Sequence, residues 1–146
     1  MEHRPEDYAT YVGPMTGAPF SRLFGALHVD LDRDHRNSVF LAGSGRSGTT
    51  WISDVINYRN GYRFVFEPFH PGKVRVCKNF GRKQYLRPDD RREEYLGAAR
   101  EVLTGRIRSP WTDRFNRKFV ARRRLIKDIR ANLLLGWMRE NFPGMP

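Results

Sequence analysis

A glycine-rich turn at residues 43–48 carries the side chains best suited to bind an anion. It follows an apolar run at residues 39–42, contains the cation Arg46 among several hydroxyl side chains, and leads into a segment with helical periodicity. In a strand, loop and helix arranged in this order, backbone N–H groups point at the ligand and the helix dipole favours negative charge. The sequence therefore predicts a binding site for a phosphate-like group.

The spacing of Gly43 and Gly48 matches the phosphate-binding pattern G-x-x-x-x-G-K-[ST], but Thr49 occupies the lysine position. The cation, Arg46, comes three residues before that position. ATP and GTP hydrolases place the lysine on the terminal phosphates. The displaced cation therefore argues against an ordinary nucleoside triphosphatase.

The same turn resembles the 5′-phosphosulfate loop of sulfotransferases that use 3′-phosphoadenosine 5′-phosphosulfate (PAPS). Two later segments are similar to the bacterial and carbohydrate-type members of that family, and they follow in the family's order. Residues 64–70 contain a Phe-Glu-Pro turn at the end of a strand, and residues 124–135 contain a Lys-Asp-x-Arg turn before a helix. The three segments together are more specific than the loop alone.

This resemblance implies that the protein transfers the sulfuryl group of PAPS to a hydroxyl or amine of a small-molecule or glycan acceptor. The nucleotide-binding residues that it implies lie in the loop and the first helical turn: Gly45, Arg46, Ser47, Gly48, Thr49, Thr50 and Trp51. Trp51 would lie near the adenine or support the loop; as an ordinary apolar residue it would belong to the core. No metal is expected, because cations of the protein take that role and no His/Cys ligand cluster is present.

The resemblance also implies the residues that act on the acceptor. The histidine that cytosolic members carry in a Lys-Thr-His turn is missing, because the turn here reads Lys127-Asp128-Ile129. Glu67 is then the first candidate for the general base and His70 the second, with Arg46 and Lys127 as catalytic cations. Three of these residues also have an ordinary interpretation. Glu67 would be a solvated residue at the end of a strand, His70 a loop histidine and Lys127 a member of a surface ion pair.

Strands and helices that alternate three times must position these residues. The pattern predicts strands at residues 38–42, 62–66 and 125–127 and helices at residues 50–58, 88–103 and 131–141. Apolar residues of the first helix are expected to pack on the sheet: Trp51, Ile52, Val55 and Ile56. The alternation predicts an α/β fold with a parallel sheet, and the resemblance implies a P-loop-like three-layer arrangement.

The remaining segments are less regular. Residues 1–20 are expected to form a loose arm, residues 21–31 a short helix or irregular structure, and residues 30–37 an exposed turn. Residues 71–88 have no firm assignment. The length of 146 residues favours one domain. The family's 3′-phosphate contacts follow a fourth strand that would begin beyond Pro146, so the resemblance implies a truncated domain, a sheet incomplete at the C-terminus and little activity for these residues alone.

The net charge of +11 lies entirely in the second half of the chain. Residues 1–70 contain 7 basic and 8 acidic side chains, and residues 71–146 contain 20 and 8. Such a basic half attracts PAPS, and it would also suit nucleic acid or an anionic membrane. Two alternatives therefore stay open, a P-loop protein of another kind such as a small-molecule kinase, and a nucleic-acid-binding module built on residues 71–130. Nucleic acid is disfavoured, because it explains the charge but not the loop and the two turns.

The single cysteine, Cys77, excludes an intrachain disulfide and favours a reducing compartment, where it would pack as a small apolar residue. No apolar stretch reaches the ~18 residues of a membrane span, and the N-terminus lacks the order of a signal peptide. A cytoplasmic location is therefore expected. The sequence specifies neither the acceptor nor the oligomeric state.

Overall fold

The structure, a computed structural model, describes residues 27–146. The predicted arm at residues 1–20 and most of the segment at residues 21–31 lie outside the described residues. The strands are β1 (Val29–Asp30), β2 (Ser38–Ala42), β3 (Arg63–Phe66), β4 (Val120–Ala121) and β5 (Arg124–Asp128). The helices are α1 (Thr49–Ile56), α2 (Glu93–Leu103) and α3 (Leu135–Asn141), with short 3₁₀ turns at His35–Asn37, Arg75–Cys77 and Asn132–Leu134.

Three parallel strands in the order β2-β5-β3 form the main sheet. The central strand β5 is buried at every position, as expected of a parallel strand that is covered on both faces. Strands β1 and β4 form a separate parallel pair in which Val29 lies opposite Val120. Helices mixed with parallel strands confirm the predicted α/β class, and the three predicted core strands are all present within one residue of their predicted limits.

The main hydrophobic core lies against helices α2 and α3. Helix α2 buries Tyr95, Ala99 and Val102, the face that its periodicity predicts. Trp137 of α3 is fully buried, and its indole N–H donates to the carbonyl oxygen of Asp90 at 2.8 Å. This helix is shorter than predicted because a 3₁₀ turn precedes it, and α2 begins five residues later than predicted because residues 87–92 form a turn.

The predicted packing of helix α1 is wrong. Its apolar residues are exposed, with Trp51 69% and Val55 52% exposed, and Ile52 and Ile56 less so. The helix instead buries Thr49 and Ser53, and the Ser53 hydroxyl donates to the carbonyl oxygen of Thr50. Helical spacing shows which residues share a face of a helix, but it does not show which face contacts the sheet.

A buried ionic cluster joins the β1–β4 pair to the amino end of β3. The Arg63 guanidinium binds Asp30 at 2.6 Å and Asp113 at 2.8 Å, and all three side chains are buried. Residues 30–37 are therefore not a wholly exposed turn as predicted. Charge alone predicts exposure for Asp30, but its cation partner comes from a strand in the core.

No helix within residues 27–146 has both the length and the apolar character needed to cross a membrane.

Candidate functional site

Three turns meet at the carboxyl edge of the main sheet. The glycine-rich loop follows β2, Glu67 follows β3, and residues 128–130 end and follow β5. Ala42 lies opposite Asp128 and Phe66 lies opposite Lys127, so β2 ends level with β5 and β3 ends one residue earlier. Ligands of open α/β sheets bind at this edge. The structure thus brings the predicted loop, Glu67 and Lys127 to the same edge.

The loop closes tightly over its first glycine. Both the backbone N–H and the hydroxyl of Ser47 donate to the carbonyl oxygen of Ser44, at 3.3 and 2.7 Å. A Cβ atom at Gly43 would lie 2.5 Å from the Thr49 methyl group and 2.8 Å from the Ser47 hydroxyl oxygen. Arg46 has a left-handed φ of 67°, which is uncommon outside glycine. The Ser47 hydroxyl therefore donates within the loop, whereas the resemblance implies that Ser47 binds the nucleotide.

The start of helix α1 can donate to an anion. Gly48 is the N-cap with a φ of 76°, and no side chain caps the helix. The N–H of Ile52 makes the first helical bond, to the carbonyl oxygen of Gly48 at 3.0 Å. The N–H groups of Thr49, Thr50 and Trp51 precede that bond, so the helix itself supplies no acceptor for them. They form the kind of donor set that binds phosphate.

Glu67 is the centre of a buried ionic cluster with Lys127 and Arg130. Its two carboxylate oxygens contact different cations: Oε1 lies 3.2 Å from the Lys127 Nζ, and Oε2 lies 2.5 Å from an Arg130 nitrogen. Glu67 and Lys127 are both buried and Arg130 is half-buried. The interpretations of Glu67 as a solvated residue and of Lys127 as part of a surface pair are therefore wrong.

The backbone holds Glu67 in an unusual conformation. Its φ is 40°, in the left-handed region that disfavours residues with a side chain. Its N–H donates to the Lys127 carbonyl oxygen at 2.7 Å, and its own carbonyl oxygen accepts from the Trp111 indole N–H at 3.1 Å. Strain of this kind persists where the surroundings determine it, and it is concentrated at functional sites.

His70 lies beside this cluster, with its ring centre 5.3 Å from that of Trp111. Burial lowers the pKa of His70, and the nearby Arg130 and Lys73 cations lower it further, against an opposite effect of Glu67. The Nδ1 atom accepts the N–H of Gly72 at 3.2 Å. A neutral ring that accepts at Nδ1 carries its proton on Nε2. In this tautomer His70 presents a donor rather than a base, which makes it a weaker base candidate than Glu67.

Asp128 is a site residue that the sequence reasoning did not select. Its fully buried carboxylate accepts the N–H of Phe69 at 2.8 Å and the N–H of Arg130 at 2.7 Å. Burial raises its pKa to about 6, although these two hydrogen bonds act in the opposite direction. The side chain ties the turn after β3 to the turn after β5. An Asp two residues before the N–H that it accepts is typical of an Asx-turn, which could have indicated this role.

Arg130 was also not selected, although it belongs to the Lys-Asp-x-Arg turn that carries the resemblance. Arg130 follows β5, and its side chain is long enough to contact the Glu67 carboxylate at the end of β3. Its contact with Glu67 depends on the fold of two turns far apart in the chain, so spacing alone could not have indicated it.

A packed aromatic group flanks Glu67 on the side of residues 111–115. The Arg114 guanidinium lies over the rings of Phe66, Trp111 and Phe115, 5.4, 5.0 and 4.7 Å from their centres. Lys127 Nζ also lies 4.9 Å from the centre of the Phe66 ring. These cation–π contacts hold the Arg114 and Lys127 cations close to Glu67. Within residues 27–146, no group of three or more His, Cys, Asp or Glu side chains could hold a metal ion.

Comparison with family models, with curated proteins and with solved structures finds no match to this chain.

Proposed function

We propose that this protein binds PAPS and transfers its sulfuryl group to a hydroxyl or amine of an acceptor. The observation that carries the proposal is the shared position of two groups of residues. A phosphate-type loop before helix α1 and the Glu67–Lys127–Arg130 cluster lie at one edge of a parallel sheet. This arrangement supports the proposal, because an anion held by the loop would lie at the same edge as a carboxylate and two cations.

In this proposal the loop holds the 5′-phosphate. The N–H groups of Thr49, Thr50 and Trp51 donate to its oxygens, and Arg46 offsets charge on the bridging oxygen. The loop residues from 44 to 48 are all exposed, so a nucleotide can reach them from solvent. Trp51, which is exposed rather than part of the core, is free to contact the adenine.

The transfer needs charge stabilisation and a base. The acceptor oxygen or nitrogen attacks sulfur, the bond from sulfur to the bridging oxygen breaks, and adenosine 3′,5′-bisphosphate leaves. Lys127 and Arg130 stabilise the charge that develops on the sulfuryl and bridging oxygens. Glu67 takes the proton of the acceptor. Because both of its oxygens contact cations, Arg130, the less buried partner, must move away from Oε2 first.

Two alternative functions account for less of this arrangement. A small-molecule kinase would also use the loop, but Thr49 stands in place of the lysine that such enzymes place on the terminal phosphates. A nucleic-acid module would use the basic second half of the chain and leaves the Glu67 cluster without a role. Magnesium-dependent ATP binding would favour the kinase.

Calorimetry with adenosine 3′,5′-bisphosphate tests the proposal. We expect saturable binding, and we expect Arg46→Ala to weaken it by about tenfold or more, the loss of one charge-assisted contact. Arg59→Ala is the matched control, because Arg59 is also exposed and lies just beyond the other end of α1. Absence of heat with the native chain, or equal affinities for the two variants, would contradict the proposal.

A further inference from the structure

A second basic region lies at the amino ends of the main strands, opposite the candidate site. A shallow cavity of about 280 Å³ opens there, and the residues that line it include Gly61, Lys118, Val120, Arg122 and Arg123. Gly61 comes just before β3, and Arg122 and Arg123 come just before β5. The cavity is therefore separated from the glycine-rich loop by the length of the sheet.

The cations of this cavity have no acidic partner among residues 27–146. No carboxylate of that part of the chain lies within 4.0 Å of the side-chain nitrogens of Lys118, Arg122 or Arg123. Some exposed arginines elsewhere, namely Arg36, Arg87 and Arg92, each bind a nearby aspartate, which reduces their effect on an approaching anion. Three cations without an acidic partner around one cavity produce a positive potential that attracts an anion.

The rim of the cavity is held in place by the fold. The Asn116 side chain bonds both the N–H and the carbonyl oxygen of Lys118, at 3.1 and 3.0 Å. The Arg123 guanidinium lies 4.4 Å from the centre of the Tyr62 ring. The adjoining strand is fixed by the N–H of Leu31, which donates to the Ala121 carbonyl oxygen at 2.8 Å. Groups that are already ordered lose less entropy when a ligand binds.

We infer that this cavity is a binding site for the phosphate group of a small molecule. Arginine and lysine side chains are the usual protein partners of phosphate. The volume of about 280 Å³ is slightly below the range of ~300–1,000 Å³ seen for small-molecule sites, so it suits a phosphate with one small attached group. Leu31 and Val120 supply an apolar wall for that group. The site is independent of the proposed function, because it shares no residue with the glycine-rich loop.

Nuclear magnetic resonance of the ¹⁵N-labelled chain tests this site directly. Inorganic phosphate and glucose 6-phosphate are added in separate titrations, with glucose as the uncharged comparison. We expect saturable shifts of the Gly61 and Ala121 amide resonances with both anions and none with glucose. Tighter binding of the sugar phosphate identifies an ester as the ligand, and equal binding identifies the free ion; both results support a phosphate site.

Charge-removing variants give the decisive comparison. Arg122→Gln with Arg123→Gln should weaken phosphate binding at Gly61 by about tenfold. Both arginines are changed together, because a single exposed ionic contact contributes little to binding. Arg87→Gln with Arg91→Gln removes the same net charge from arginines that already contact Asp89 and Glu140. This control should bind as the native chain does. Shifts at Gly45 in the loop after β2 report separately on any phosphate bound there.

Three results would overturn the inference. The first is no saturable change at Gly61 and Ala121 in a chain whose spectrum is well dispersed. The second is equal weakening by the two double variants, which would show a response to overall charge alone. The third is much tighter binding of a 20-nucleotide oligothymidylate that shifts resonances far beyond the cavity, which would identify a nucleic-acid surface instead.

Discussion

Arg63 and Arg124 lie opposite each other on the adjacent parallel strands β3 and β5, and both side chains are fully buried. Their partners differ in kind. Arg63 binds the carboxylates of Asp30 and Asp113, whereas Arg124 donates to the Ser38 hydroxyl oxygen and to the backbone carbonyl oxygens of Asp32 and Asp34. Two like charges can be neighbours here because acidic and polar groups from separate segments surround each guanidinium. The amino end of the sheet is thus held by ionic contacts where a hydrophobic core would be expected.

Arg63→Met should destabilise the protein strongly. The variant keeps much of the side-chain volume but removes the closest cation of both Asp30 and Asp113, and leaves Arg33 at 3.9 Å from Asp30. Breaking a buried ion pair in this way typically costs about 3–5 kcal/mol. The free energy of unfolding in urea measures the loss. Arg36→Met is the control, since Arg36 is exposed and its partner Asp34 remains accessible to water. Similar losses for the two variants would show that the buried contacts of Arg63 contribute no more to stability than an exposed ion pair does.

The strands and most helices could be predicted from the sequence because their apolar residues recur with the period of each element. The predicted strand at residues 38–42 and the structure agree, and the buried face of α2 was found correctly. The orientation of α1 could not be predicted in the same way, because Trp51 and Val55 share a face whether or not that face contacts the sheet. Burial of Asp30 was missed because it depends on Arg63, thirty-three residues later in the chain.

The candidate site could be predicted only in part, because strand order brings its residues to one edge but does not determine their contacts. The carboxyl ends of neighbouring parallel strands meet at one edge of a sheet, so three predicted strands are enough to bring Glu67, Lys127 and the loop to the same edge. Which atoms pair there depends on turn geometry. The left-handed φ of Glu67 and the bonds of Asp128 to two separate turns arise only when the strands are in register. The backbone conformation of Glu67 leaves no clear pattern in the sequence, and the Asx-turn pattern of Asp128 does not indicate its second bond, to the N–H of Phe69.

Gly43→Ala should destabilise the loop before α1. Its new Cβ atom would lie within 3.0 Å of both the Thr49 methyl group and the Ser47 hydroxyl oxygen, so the loop must shift. Overpacking of this kind costs typically 1–3 kcal/mol. Gly45→Ala is a close control two residues later, because a Cβ atom there meets nothing within 4 Å. Thermal unfolding of both variants measures the difference, and equal melting temperatures would show that the loop is not closed over Gly43.

Cys77 should resist alkylation in the folded protein. The side chain is fully buried in the core, as the sequence predicts for a cysteine that packs as an apolar residue, and burial raises the pKa of its thiol to about 12. Only the thiolate reacts readily, so both access and ionisation oppose the reaction. Mass spectrometry after iodoacetamide treatment should find an unmodified chain in buffer and a fully modified chain in urea. Rapid modification in buffer would contradict the buried position.

Asp128 should make the protein less stable as pH increases through the weakly acidic range. Its pKa is raised from 3.8 to about 6 in the folded state. Between these values the native state binds more protons than the unfolded state, so the contribution of Asp128 to the free energy of unfolding falls as pH increases and levels off above pH 6. A shift of about two pKa units corresponds to a change of roughly 2–3 kcal/mol in the free energy of unfolding. Asp128→Asn removes this titration.

The free energy of unfolding of the native chain minus that of Asp128→Asn should therefore decrease between pH 4 and pH 7, as measured by urea unfolding at each pH. Taking the difference cancels the other acidic groups, including Asp34, whose pKa its contacts with Arg36 lower to about 2. The variant should also be less stable than the native chain near pH 4. The N–H groups of Phe69 and Arg130 each bind a separate oxygen of Asp128. Near pH 4 the carboxyl is protonated, and its hydroxyl oxygen can still accept one of these N–H groups, whereas the asparagine amide places an NH2 donor there. A difference that is constant with pH would mean that Asp128 ionises in the fold as it does in the unfolded chain.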